Sequence, residues 1–150
     1  VLDVAGGRVV SSAGLAGVFD LSPTYLNKHL QKLAAAGIVA SVAGASGGFR
    51  LSQPAARVSL DDVVSALGSA APLFQCNEIR CQGAFVDQKS RILASGLCSI
   101  NRAMSLAEDA WRASLAGTSI ADLAAGLDNA TRTRMLQATG LDPDPVKDPL

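Results

Sequence analysis

Apolar residues recur along this chain with helical spacing in some stretches and alternate in others, and the switches between the two patterns mark out its elements. From Pro23 onward, Leu26, Leu30, Leu33 and Ala34 fall at i, i+4, i+7 and i+8, the single stripe of an amphipathic helix. Ser22 offers a hydroxyl to an otherwise unpaired helix N–H, Pro23 suits the first helical position, and Gly37 supplies the stop. At about 100° per residue the opposite face carries Thr24, Lys28 and Lys32, flanked by Tyr25 and Gln31. Upstream, Ser12 to Phe19 predicts a shorter helix with Leu15, Val18 and Phe19 inward, and only Asp20 and Leu21 separate it from Ser22. Two helices joined so tightly form a helix-turn-helix.

Downstream, Ile38 to Val42 has strand character, Ala43-Gly44-Ala45-Ser46-Gly47-Gly48 is a glycine-rich tip, and Phe49 to Leu51 returns as a second strand, a β-hairpin wing. Leu60 to Leu67 reads as another helix begun near Ser59, with Asp61 and Asp62 favourable at its positive end. Residues 68 to 98 are less regular and contain all three cysteines. Ile100, Ala103, Met104, Ala107, Trp111 and Leu115 then form a stripe along a helix from about Ser99 to Ala116, and Ile120 to Leu127 adds a short one. Pro143, Pro145 and Pro149 mark the end, 128–150, as a flexible tail. The opening Val1, Leu2, Val4 and Ala5 before Gly6-Gly7 reads as the tail of a helix whose beginning is absent. The expected fold is mainly α with a small β-wing: a winged helix-turn-helix over 1–67, a cysteine-containing segment over 68–98, and a long helix with a short follower over 99–127.

Composition narrows the class. Over 150 residues, 13 Lys and Arg balance 13 Asp and Glu, so overall basicity gives no argument for nucleic acid. Divided by segment, however, residues 1–57 carry +3, residues 58–127 carry −2 and the remainder −1. The mean hydropathy of +0.28 reflects 26 Ala and 14 Gly, and the longest apolar run, Ala34 to Ala40, falls far short of the roughly 20 residues that span a membrane. Three cysteines are an odd number with no secretory leader before them, which points to a reducing cytoplasm.

A helix-turn-helix followed by a wing presents its second helix to the major groove of double-stranded DNA. Ser22, Thr24, Tyr25, Asn27 and Lys28, near the helix start, are the candidates for base edges. Lys32, Arg50 and the wing backbone at Ser46, Gly47 and Gly48 are the candidates for phosphates. His29, the single histidine, flanks the apolar stripe and reads as packing or as a neighbour of phosphate. No nucleophile–base constellation supports an enzyme, and Gly44 to Gly48 lacks the setting and the lysine of a phosphate loop. The other class compatible with neutral charge is a protein-interaction adaptor that uses a winged helix as a scaffold without binding DNA.

The stretch Leu21-Ser22-Pro23-Thr24-Tyr25-Leu26-Asn27-Lys28-His29-Leu30 with Leu33 and Gly37, then Gly47-Gly48-Phe49-Arg50-Leu51, then Leu60-Asp61-Asp62-Val63-Val64, resembles the Rrf2 family of winged-helix regulators, which includes IscR-like, NsrR-like and CymR-like repressors. The resemblance runs from about Val1 to Leu127. It implies a homodimer clasped by the helix Ser99 to Ala116, with two heads on a palindromic operator, and a first helix ahead of Gly6-Gly7. It further implies that Cys76, Cys81 and Cys98 sense redox, iron–sulfur or nitrosative status, as ligands of a 2Fe-2S or 4Fe-4S cluster or as a redox switch. Here they are spaced C-x4-C-x16-C, whereas cluster-binding members have the third cysteine closer. Three readings of these thiols stay open: cluster ligation, reversible oxidation in which Cys76 closes a disulfide with Cys81 or Cys98, and plain core packing.

Overall fold

Serine and aspartate caps set most of the helix starts in this chain. In the computed structural model, which describes residues 1–68, 72–96 and 98–142, α1 (Ser12–Gly17) begins where the Ser11 hydroxyl accepts the Gly14 N–H at 3.0 Å. The helix stops two residues short of Phe19, because the chain turns through Asp20 at φ 53° and the Leu21 N–H reaches back to the Ala16 carbonyl at 2.9 Å. Phe19, expected inward, is therefore 60% exposed. Helix α2 (Pro23–Ala35) has the expected bounds, with the Ser22 hydroxyl accepting from the Tyr25 N–H at 3.4 Å and Gly37 turning left-handed at φ 73°.

Strands β1 (Val39–Val42) and β2 (Gly48–Leu51) pair antiparallel, Val39 opposite Leu51 and Val42 opposite Gly48. Val10 adds a third edge: it exchanges two backbone hydrogen bonds with Phe49, at 2.9 and 2.8 Å. A 3-10 turn (Ala55–Arg57) leads to α3 (Leu60–Leu67). Its start is a reciprocal capping box: the Asp62 carboxylate accepts the Ser59 N–H at 2.8 Å, and the Ser59 hydroxyl accepts the Asp62 N–H at 3.1 Å.

The cysteine segment holds 3-10 turns at Ile79–Cys81 and Gly83–Gln88 and then α4 (Lys89–Ala94). Helix α5 (Ser99–Ala116) runs over the expected span and is followed by α6 (Ile120–Ala125). The end of α5 is tied back to the head, where Leu60 donates to the Thr118 carbonyl and Ile120 to the Val58 carbonyl, both at 2.9 Å.

The flexible tail expected over 128–150 is corrected by α7 (Asn129–Ala138). Asp128 caps it, accepting the Thr131 N–H at 2.7 Å, and Leu136 is buried in the same core as Val10, Leu15, Leu30, Ile38, Val39, Phe49 and Val58. That burial holds the segment down despite the prolines beyond it, and residues 143–150, which carry those prolines, lie outside the described residues. Among the described residues no helix is long and apolar enough to cross a membrane.

Candidate nucleic-acid interface

Helix α2 divides as its stripe requires. Leu30 is buried and Leu26, Leu33 and Ala34 pack against the core, so the opposite face is left to solvent. Ser22, Thr24, Tyr25, Asn27 and Lys28 lie on or beside the first turns of α2, and all five are exposed. Tyr25 is 59% exposed and its ring meets His29 edge-on, the centroids 4.6 Å apart at 69°. This contact steadies Tyr25 and gives His29 the packing role expected of it.

On the wing, β2 alternates: Phe49 is buried against the core and Arg50 is exposed on the other side. Ser46 stands exposed at the tip. Gly47 and Gly48 have local duties that sequence spacing did not reveal. The Gly47 N–H donates to the Gly44 carbonyl at 2.9 Å, so it closes the wing turn instead of facing a phosphate. Gly48 lies so close to the Val10 backbone that a Cβ there would collide with the Val10 carbonyl. Its lack of a side chain lets the third edge pair.

Lys32 also departs from expectation. Its ammonium donates to the Leu67 carbonyl at 3.0 Å, at the C-terminus of α3, where a cation satisfies an unpaired carbonyl. Of the basic side chains expected at DNA, Lys28 and Arg50 remain exposed and Lys32 is engaged in holding α2 to α3.

The sequence offered no sign of the polar joint between α3 and α5, because Asp61 lies far in the chain from Glu108 and Arg112. Arg112 pairs with Asp61 at 3.1 Å and with Glu108 at 3.2 Å, while Glu108 also accepts the Leu73 N–H at 3.1 Å. The neighbouring apolar stripe of α5 is left uncovered: Ile100, Met104 and Trp111 are 58%, 41% and 37% exposed. No residue of α5 is buried.

The cysteines are partly buried and unpaired. Among the described residues, no three Cys, His, Asp or Glu side chains gather into a group that could hold a metal ion. Cys76, Cys81 and Cys98 are thus not gathered into one ligand group within this chain. The Cys98 thiol is held below its ordinary value by the backbone N–H groups of Asn101 and then Ile100, with burial opposing and Arg80 adding a smaller attraction. Arg80 itself is clamped by the Glu78 carboxylate at 2.5 and 2.8 Å, which raises its own affinity for the proton.

The model of a known family, Rrf2, described as an iron-dependent transcriptional regulator, matches residues 1–126. Protein aau3 of Rhizobium meliloti (strain 1021) is 35% identical over 112 residues, covering 73% of this chain and 66% of its own length. Among solved structures, CymR (YrzC), the global cysteine regulator of B. subtilis, superposes with a TM-score of 0.60 at 24% identity, over 85% of this chain and 87% of its own. IscR of T. potens matches with a TM-score of 0.60 at 22% identity, over 86% of this chain and 80% of its own. The two structures share the mostly helical winged fold, and the regulators of this family are not enzymes. A winged helix-turn-helix with an exposed polar face, matched along most of its length by that family model, places this chain in the Rrf2 family of transcriptional regulators.

Proposed function

We propose that this chain is a DNA-binding transcriptional repressor that acts as a homodimer on a palindromic operator, in the cytoplasm, and that its cysteine segment receives the signal. The observation that carries the reading is the solvent-facing first half of α2 together with an exposed Arg50 on the wing, the two elements held on a shared core. In this arrangement Thr24, Tyr25, Asn27 and Lys28 enter the major groove and Arg50 meets phosphate from the wing. The family resemblance supplies the operator symmetry, and the uncovered Ile100–Met104–Trp111 stripe supports the dimer, because a large apolar patch on a monomer marks an interface. A signal acts by stabilising one arrangement of the two heads over another.

The test is footprinting of the reduced protein on selected duplexes. Two protected half-sites about one helical turn apart, roughly 34 Å centre to centre, are expected. Absence of any salt-dependent duplex binding, in reduced and oxidised protein alike, would transfer the assignment to a protein-interaction adaptor.

A further inference from the structure

Cys76 and Cys98 open onto one cavity of about 320 Å³, whose other walls include Phe74, Ile79 and Ile100. Cys81 does not line it. The two sides of the cavity are laced together: Arg80, held by Glu78, donates to the Gly96 carbonyl at 3.0 Å, just ahead of Cys98. On the other side the Cys76 sulfur accepts the Glu78 N–H at 3.4 Å. Glu78 itself sits at φ 50°, a left-handed conformation that a non-glycine residue adopts only when its surroundings hold it there. Cys98 caps the 18-residue α5; it makes no capping hydrogen bond as a thiol, and the N–H groups of the first turn favour it as a thiolate.

We propose that Cys98 and Cys76 form a dithiol sensor for apolar organic hydroperoxides seated in this cavity, with Cys81 taking no part; this rests on the reading of the cysteine segment as signal-receiving. The Cys98 thiolate attacks the outer peroxide oxygen. An S–O bond forms, the O–O bond breaks, and the departing alkoxide takes a proton from solvent to leave as an alcohol. The Cys76 thiolate then attacks the sulfenic sulfur, an S–S bond forms, the S–O bond breaks, and hydroxide leaves and is protonated to water. Two thiols are oxidised to one disulfide and one hydroperoxide is reduced to alcohol and water. The Phe74, Ile79 and Ile100 walls give an alkyl or aryl group a place that hydrogen peroxide cannot use. The resulting disulfide ties the 74–79 segment to the first turn of α5, the helix whose apolar stripe is uncovered.

The test treats the reduced full chain with cumene hydroperoxide and with hydrogen peroxide, and maps the products by mass spectrometry. A Cys76–Cys98 disulfide is expected, formed at least roughly tenfold faster with cumene hydroperoxide, the discrimination an apolar pocket provides. Cys76→Ser should leave a sulfenic acid on Cys98 that dimedone traps, Cys98→Ser should abolish the reaction, and Cys81→Ser should leave it unchanged. Equal rates with the two peroxides, a disulfide containing Cys81, or stoichiometric iron and sulfide held by all three thiols after anaerobic reconstitution overturns the proposal. Duplex binding by the reduced protein is measured in parallel. Intact duplex binding with an unreactive Cys98 overturns the dithiol alone; duplex binding absent from reduced and oxidised protein alike overturns the regulator reading.

Discussion

The winged-helix head and helix α5 treat their apolar side chains in opposite ways. In the head, Val10, Leu15, Leu30, Ile38, Val39, Phe49 and Val58 are buried together, and the surface left over is polar where α2 and the wing face solvent. In α5 no residue is buried, and the joint to α3 is a polar one built on Arg112, Asp61 and Glu108. A head of this kind is complete within one chain. A helix with an uncovered stripe is not, and in the proposed homodimer a second copy would satisfy it through the same surface on both partners.

The comparison can be broken most severely in the head. Phe49→Ala removes a buried ring and the packing between wing and core, and should cost about 3–5 kcal/mol of unfolding free energy in a denaturant titration. An effect as small as that of a surface substitution would mean the head is not the self-sufficient unit described. In α5, Trp111→Glu or Met104→Glu should weaken self-association by about 2 kcal/mol or more, read by sedimentation across a concentration series, with little change in the head's own unfolding. Unaltered self-association in both variants would remove the stripe from the interface.

Smaller effects sharpen the picture at the caps. Ser59→Ala should cost about 1 kcal/mol, because the α3 capping box loses its hydroxyl. The carboxyls of Asp62, Asp122 and Asp128 are held below their ordinary 3.8 by hydrogen bonds from Ser59, Ser119 and Thr131 respectively. Each folded value is depressed, so each contribution is complete above the unfolded value of 3.8 and is lost as pH falls through the lower folded value. Stability measured against pH should therefore fall in that acid window, and Asp62→Asn should flatten part of the fall. A profile identical to that of the unsubstituted chain would contradict the capping role.

What the sequence disclosed follows the same division. Helices α2, α3 and α5 were legible to within a residue or two because Ser22, Ser59 and the stripes on either side of them are local signals. Helix α7 was not legible: it offers Met135 and Leu136 as its large apolar residues, and its anchorage depends on α1, more than a hundred residues away, where Gly14 lies against Thr139. The solvent-facing half of α2 could be read directly from its pattern. The fate of Lys32 could not, since the Leu67 carbonyl that accepts from it is fixed by how α3 packs. Gly48 shows the same limit: the motif containing it was visible, but its reason, the close passage of Val10, is tertiary. The shared cavity of Cys76 and Cys98 likewise comes from a fold that brings distant parts of the cysteine segment back together.

The central claim is that α2 and the wing form the nucleic-acid surface, with the Lys28 cation in the major groove and Arg50 at phosphate. The direct measurement is the slope of log affinity against log salt for duplex binding by the reduced protein, compared with Lys28→Ala and Arg50→Ala. The account predicts weaker binding in each variant and a slope shallower by about 1 for every phosphate that a subunit no longer neutralises. Unchanged affinity and unchanged slope in both variants would contradict it.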